Sequence, residues 1–312
     1  MRISGFLGLI VLLLSAHAVQ AEQTLRVGDQ KGLQKALLDA SHALDGASYR
    51  IDWSEFPAAS PLLQALGADA VDTGIAGDGP FLFAYGAGQD VRATMAVLPR
   101  DGGHLVAVVV PAGSPIHTVA DLAGHVVATT RGSIGHNLVL RLVETGAIPR
   151  AGVTTAFLSP AQAQAALDSG SVDAWSTWEP YIALEEQKGA RRIVDGHDIL
   201  ANYGFQVASV HAIQTKHIVL QDFYRRLARA YDWGNAHPDQ YAKIWSIQVG
   251  LPLDISSKVA DTMRTHSGPV DANVVDAERA TIATYRKAGA LPAVGPDIAL
   301  AFDHSFSSQP SP

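Results

Sequence analysis

Two stretches of this chain, about a hundred residues apart, are built on one plan. The first opens TLRVGDQKGLQKALLDASHALDG and reads as strand, loop and helix. Leu33, Ala36, Leu37, Ala40 and Leu44 recur at helical spacing, and Gly46 is the expected stop. The second opens VVATTRGSIGHNL: a β-like run, a turn, then Leu138, Leu142 and Val143 on a helical face that ends near Gly146. Downstream the likeness holds in order and in spacing. QALGADAVD (64–72) precedes TGIAGDGP, as AALDSGSVD (165–173) precedes AWSTWEPY. Lys31-Gly32 answers Arg131-Gly132, Val71-Asp72 answers Val172-Asp173, and Asp78 answers Glu179. Strands alternating with helices, twice over, predict an α/β protein of two related units.

Two further strands are expected where the chain passes between the units. One is HLVAVVVPAGSPI, closed by Pro111 and Pro115, and the other is NYGFQVASVHAI. From Leu220 onward the pattern is mainly helical, and Trp233 and Trp245 are read there as core anchors, because aromatic side chains dominate burial. Open α/β sheets bind ligands beyond the carboxyl ends of their strands. The loops at 29–32, 77–79, 132–137 and 175–181 are therefore expected to share the rim of one cleft.

Of these loops, GSIGHN (132–137) says most about chemistry. A P-loop needs GxxxxGK[ST], but here His136 follows Gly135 and no lysine comes after it; GxGxxG is also absent. Ser133 lacks the GxSxG setting of a nucleophile elbow. The twelve histidines are scattered without metal-ligand spacing, and His211 and His217 fall in a segment read as passing from strand to loop. No catalytic residue, metal site or cofactor is expected. A helix N-terminus remains, whose unpaired N–H groups and partial positive charge hold an oxyanion without a cation. Gly132 and Gly135 admit a close backbone, while Ser133 and Asn137 add neutral donors; a plain serine N-cap is the structural alternative. In the facing WSTWEPY loop, Trp175 and Trp178 offer flat apolar area to a carbon skeleton. Asp78 and Glu179 either bond a ligand or cap the helices that follow them.

The first twenty-one residues, MRISGFLGLIVLLLSAHAVQA, have the three parts of a cleaved signal peptide. These are Arg2, an apolar run from Phe6 to Leu14, and Val19 and Ala21 just before the cut. The run falls short of the roughly 20 residues that span a bilayer, so a periplasmic, freely soluble protein is expected. Although export permits disulfides, the chain has no cysteine, which excludes them along with thiolate metal sites and thiol catalysis. Hydrophobic residues make up 47% and charged ones 17%, a globular composition, and a net charge of −7 argues against nucleic acid or an anionic membrane as partner. A monomer is expected.

In order along the chain, VGDQKG, WSEFPAASPLLQALGADAVDTGIAGDGP, PIHTVADLAGHVVATTRGSIGHNLVLR, FLSPAQAQAALDSGSVDAWSTWEPY and LPLDISSKV resemble a known family. It is that of the periplasmic substrate-binding proteins of ABC importers, in the group of aliphatic sulfonate, taurine and nitrate binders. The likeness is nearest to the aliphatic sulfonate-binding proteins and covers nearly the whole mature chain. It implies a type II periplasmic-binding-protein fold, with domain I at 22–105 and 205–312, domain II at 106–204, a two-stranded hinge, and the ligand cleft between the domains. It also implies a non-enzymatic receptor that captures a small organic anion, a sulfonate, and delivers it to an inner-membrane permease with its ATPase.

Carried over by position, Gln30, Gly77 and Asp78 would line the first wall. Ser133, Gly135, His136 and Asn137 would hold the sulfonate oxygens, Trp175, Trp178 and Glu179 would flank the tail, and Phe205 would stand nearby. The chain departs from the family pattern at Ala76, where STGD becomes IAGD, at Ile134 and Gly135, where relatives carry serines, and at WEPY in place of WDPY. Fewer hydroxyls leave room for a bulkier ligand, or for taurine, nitrate, a sulfate ester or a pyrimidine precursor. An enzyme on the same fold is the other alternative.

Overall fold

The computed structural model describes residues 23–100, 104–149 and 152–306, so the leader segment lies outside the described residues. The first unit runs β1 (Gln23–Gln30), α1 (Leu33–Ser41), β2 (Tyr49–Phe56), α2 (Ala59–Gly67), β3 (Thr73–Gly77), α3 (Asp78–Gly86) and β4 (Val91–Pro99). After the first connection comes β5 (Val106–Val110). The second unit then repeats the order with β6 (His125–Thr129), α4 (Ile134–Glu144), β7 (Val153–Phe157), α5 (Pro160–Asp168), β8 (Ala174–Trp178), α6 (Tyr181–Gln187) and β9 (Arg191–Asp195). The chain returns as β10 (Gly204–Ser209) and ends in α7 (Val210–Ala236), α8 (Pro238–Val249), α9 (Leu253–Thr262), the short β11 (Thr265–Gly268) and α10 (Ala272–Lys287).

Two sheets result, with strand orders β11-β4-β10-β3-β1-β2 and β7-β6-β8-β5-β9. In each, the unit's first strand is parallel to its second and third. Each sheet also receives one antiparallel strand from the chain that has just arrived: β10 between β3 and β4, and β5 between β8 and β9. The strands read as crossings are thus interior sheet strands, and the connections are the segments that precede them. Centrality explains why VAVVV shows no alternation, since a strand covered on both faces is buried at every position.

The repeat holds at the level of single bonds. The Asp72 carboxylate accepts the Arg26 amide at 2.7 Å, and the Asp72 amide donates to the Arg26 carbonyl at 2.8 Å. The Asp173 carboxylate accepts the Val126 amide at 2.7 Å, and its own amide donates to the Val126 carbonyl at 2.9 Å. Each short acid thereby pins the entry of a unit's third strand to its first. The acids that follow those third strands also match: Asp78 N–H donates to Tyr203 O at 3.1 Å, and Glu179 N–H to Leu105 O at 3.0 Å, each reaching the connection that enters its own sheet.

Two element boundaries differ from expectation. The helix α1 stops at Ser41, short of Leu44, because His42 takes a left-handed conformation (φ 52°). The strand read over NYGFQVASVHAI ends at Ser209, whose hydroxyl accepts the Ala212 amide at 3.0 Å and starts α7. An N-cap serine inside an apolar run overrides the β-like composition of VHAI, and His211 and His217 consequently lie on a helix. Among the described residues no helix is long and apolar enough to cross a membrane.

Candidate functional site

Beyond the strand ends the two rims enclose a cleft of about 220 Å³. Gln30 and Gly77 reach it from the first sheet, and Ser133, Trp178 and Glu179 from the second. The Gln30 side chain is oriented by a bond from Nε2 to Ile75 O at 2.7 Å.

Although α1 and α4 start at equivalent places, their caps differ in charge. Asp29 turns its carboxylate back onto α1, accepting the amides of Gln30 at 2.7 Å, Gln34 at 3.2 Å and Lys35 at 2.9 Å. The N-terminus of α1 therefore already holds an anion, an internal one. A hundred residues later Thr129 stands in the place of Asp29, and the cap is the neutral Ser133 hydroxyl, which accepts the His136 amide at 3.1 Å. Gly132 N–H donates to His136 Nδ1 at 3.1 Å, and the first helical bond runs from Asn137 N–H to Ser133 O at 3.0 Å. Among the described residues the amides of Ile134 and Gly135 meet no acceptor. This leaves α4 with a positive end, two unpaired donors and no internal counter-charge.

Six of the residues expected to touch ligand, Asp78 among them, present no side chain to the cleft. Gly135 lies against β8, where a Cβ would come within 2.4 Å of Ser176 O, and Ser176 Oγ donates to Gly135 O at 2.7 Å. The glycine is thus needed for close packing of α4 on the sheet, and the serine missing there is not a hydroxyl missing from the cleft. His136 is buried with its ring edge-on to Phe157 at 4.9 Å. Burial, and then the Arg131 charge, push its pKa down to about 4, so the ring is neutral. Asn137 is buried as well. Trp175, inside β8, packs on Tyr181 at 5.5 Å, and Phe205, inside β10, packs on Phe81 at 5.4 Å; both are core residues.

Both acids turn onto backbone amides at the start of a helix. Glu179 Oε2 accepts the Ala183 amide of α6 at 3.1 Å, while Oε1 meets Arg192 at 3.4 Å. Burial nevertheless raises the Glu179 pKa. Asp78 Oδ1 accepts the Gly79 amide at 2.6 Å, and burial pushes this carboxyl up to about 6.

Several lining residues carry no local motif. Tyr231 and Tyr241 enter from α7 and α8, Arg264 from just before β11, and Asn202 from the connection to β10. Asn202 is buried at φ 54°, and neither polar atom of its side-chain amide has a partner among the described residues. Pro57–Ser60 belongs to the WSEFPAAS word that carried the family likeness, yet no residue in it suggested a contact.

Comparison with known proteins gives the same architecture. The family described as NMT1/THI5 like matches residues 55–241. A protein of Escherichia coli (strain K12) that bears the name aliphatic sulfonates-binding protein is 33% identical over 279 residues, covering 87% of this chain and 86% of the relative. Among solved structures, the alkanesulfonate-binding protein of Xanthomonas axonopodis pv. citri, bound to MOPS, is 31% identical with a TM-score of 0.83, covering 91% of this chain and 99% of that one. The periplasmic aliphatic sulphonate binding protein of Escherichia coli is 29% identical with a TM-score of 0.81, covering 94% of this chain and 96% of that one. Two sheets joined by two connections around a shared cleft, and a family match over more than half the length, lead to one conclusion: the chain belongs to the NMT1/THI5-like family and has the periplasmic-binding-protein fold.

Proposed function

We propose that this chain is the periplasmic substrate-binding component of an ABC importer, and that it captures a small organosulfonate in the cleft. The observation that carries the reading is the unequal capping of α1 and α4. Of these two helices α4 alone offers its N-terminal amides without an acid of its own, so an incoming oxyanion is held there by Ile134 and Gly135 N–H with the Ser133 hydroxyl beside them. Trp178 and Tyr181, edge-to-face at 5.8 Å, give the carbon tail an apolar wall. The sulfonate-binding relatives support the same ligand class.

In this reading a signal peptide ending at Ala21 is cleaved, and 22–105 with 205–312 moves as one domain against 106–204. Ligand contacts on both walls favour the closed state, which the permease recognises. Contacts across the cleft support closure: Tyr181 Oη donates to Pro57 O at 3.4 Å, and Lys258 of α9 pairs with Glu186 of α6. Calorimetry with ethanesulfonate, longer alkanesulfonates, taurine, sulfate and nitrate tests the assignment. Micromolar or tighter binding of at least one sulfonate is expected, and no binding across the panel would refute it. Trp178→Ala should weaken a tailed sulfonate far more than nitrate.

A further inference from the structure

Behind the anion loop, α3, α4 and α10 meet. Glu278, Ile282 and Tyr285 lie on one face of α10 at spacings of four and three residues. Tyr285 stands edge-on to Phe83 of α3 at 4.9 Å, and its hydroxyl donates to Ser133 O at 3.2 Å. A Cβ on Gly79 would meet Gly132 O at 2.3 Å and the Tyr285 hydroxyl at 2.5 Å, so the two walls touch here backbone to backbone. Two carboxyl groups are buried in this junction. Asp78 accepts only the Gly79 amide, and both oxygens of Glu278 lack any hydrogen-bond partner among the described residues. The polar groups around the pair are Tyr285 on α10 and Tyr203 on the connection, with Asp271 acting on Tyr203, while His136 of α4 packs on the Tyr285 ring at 5.6 Å. No cation is paired with either acid among the described residues. Arg131 lies over the Phe157 ring at 3.8 Å, and Lys287 pairs with Glu144.

Two like charges in such a place do not both ionise readily. We propose that the Asp78–Glu278 pair keeps a proton beside the anion loop and makes the site selective for singly charged oxyanions: a sulfonate is captured with that proton retained, and a dianion such as sulfate is refused. The inference rests on the organosulfonate reading and adds a charge rule to it. Burial pushes Asp78 up to about 6, and burial with the Asp78 charge holds Glu278 well above the carboxylate range. A sulfonate stays singly charged throughout neutral pH. His136, with its pKa near 4, stays neutral as well. As pH rises through about 6 the free protein loses a proton that the bound form retains, so affinity falls, by about tenfold for each unit the bound anion adds to the pair's pKa.

The experiment is calorimetry of the mature chain with ethanesulfonate and with sulfate from pH 5 to 8.5, in two buffers of different ionisation enthalpy. Expected are weaker sulfonate binding at higher pH, proton uptake on binding above pH 6, and sulfate weaker than ethanesulfonate by about 100-fold or more, as for two pKa units of charge interaction. The double variant Asp78→Asn/Glu278→Gln should flatten the pH profile and narrow the gap to sulfate; if it does not fold, Asp78→Asn alone should reduce the slope. Sulfonate binding that is independent of pH, binding without proton exchange, or sulfate binding as tight as ethanesulfonate overturns the charge rule alone. Absence of sulfonate binding at every pH overturns the functional reading itself.

Discussion

At Ser133 a neutral cap decides what α4 is free to hold. Replacing it by aspartate puts an internal carboxylate on the amides of α4, as Asp29 does on α1 from the position that Thr129 holds here. Ser133→Asp should lower sulfonate affinity by about 100-fold or more while leaving the melting temperature equal or higher, because an acidic N-cap stabilises a helix by about 1 kcal/mol. Calorimetry and thermal melts on one preparation separate the two effects. Gly135 behaves differently. Gly135→Ser forces a Cβ against Ser176 O and should cost about 1–3 kcal/mol by overpacking, read from urea unfolding. The cap at Ser133 was legible in TTRGSIGHNL, because capping is a contact across three residues. The role of Gly135 was not, since it depends on β8, which arrives forty residues later.

At the scale of elements, the two aspartates that pin β3 and β8 make equivalent backbone bonds in unequal surroundings. The Asp72 side chain is fully buried and also binds Arg26 at 2.6 Å and Lys216 at 2.6 Å. The Asp173 side chain is 41% exposed and has only His125 at 3.2 Å beside its backbone bond. Asp72→Ala should therefore destabilise by about 3 kcal/mol, as removal of one partner of a buried ion pair does. Asp173→Ala should cost about 1 kcal/mol, the worth of a single hydrogen bond. Comparable losses in chemical unfolding would show that burial does not separate them. The Val-Asp words could be matched by eye. Lys216 could not be foreseen, because α7 brings it back to β3 from far along the chain. The start of α7 at Val210 was missed for a related reason, since apolar composition masked the serine cap.

For the whole molecule, pH dependence of stability follows from carboxyls shifted in opposite directions. Burial lifts Asp29 and Asp78 to about 6, above the unfolded value of about 3.9, so their contribution is complete below that unfolded value and lost as pH rises through about 6. Burial alone would raise Asp72 and Asp222 too, but bonds from Arg26 and Lys216, and from Arg226 and Tyr49, outweigh it and hold both low. Their contribution is present above the unfolded value and lost as pH falls through the folded one. Melts from pH 3 to 8 should peak between about 4 and 6, and a melting temperature still climbing at pH 8 would contradict this. Closure has its own test. Lys258→Glu sets like charges across the cleft at Glu186, so small-angle scattering should show a larger radius of gyration with ligand than the parent chain, together with weaker sulfonate binding.

By itself the sequence determined the two α/β units, the order of their elements, the acids that close them and the serine that caps α4. All of these rest on periodicity and on contacts within a few residues, which a chain specifies locally. Only the tertiary structure decided which side chains line the cleft. It turned Trp175 and Phe205 into core, set Gly135 against the sheet, brought Tyr231, Tyr241 and Asn202 to the lining, and buried Asp78 with Glu278 at one junction. Those outcomes depend on which face each element presents to remote neighbours, and no local pattern of residues encodes that.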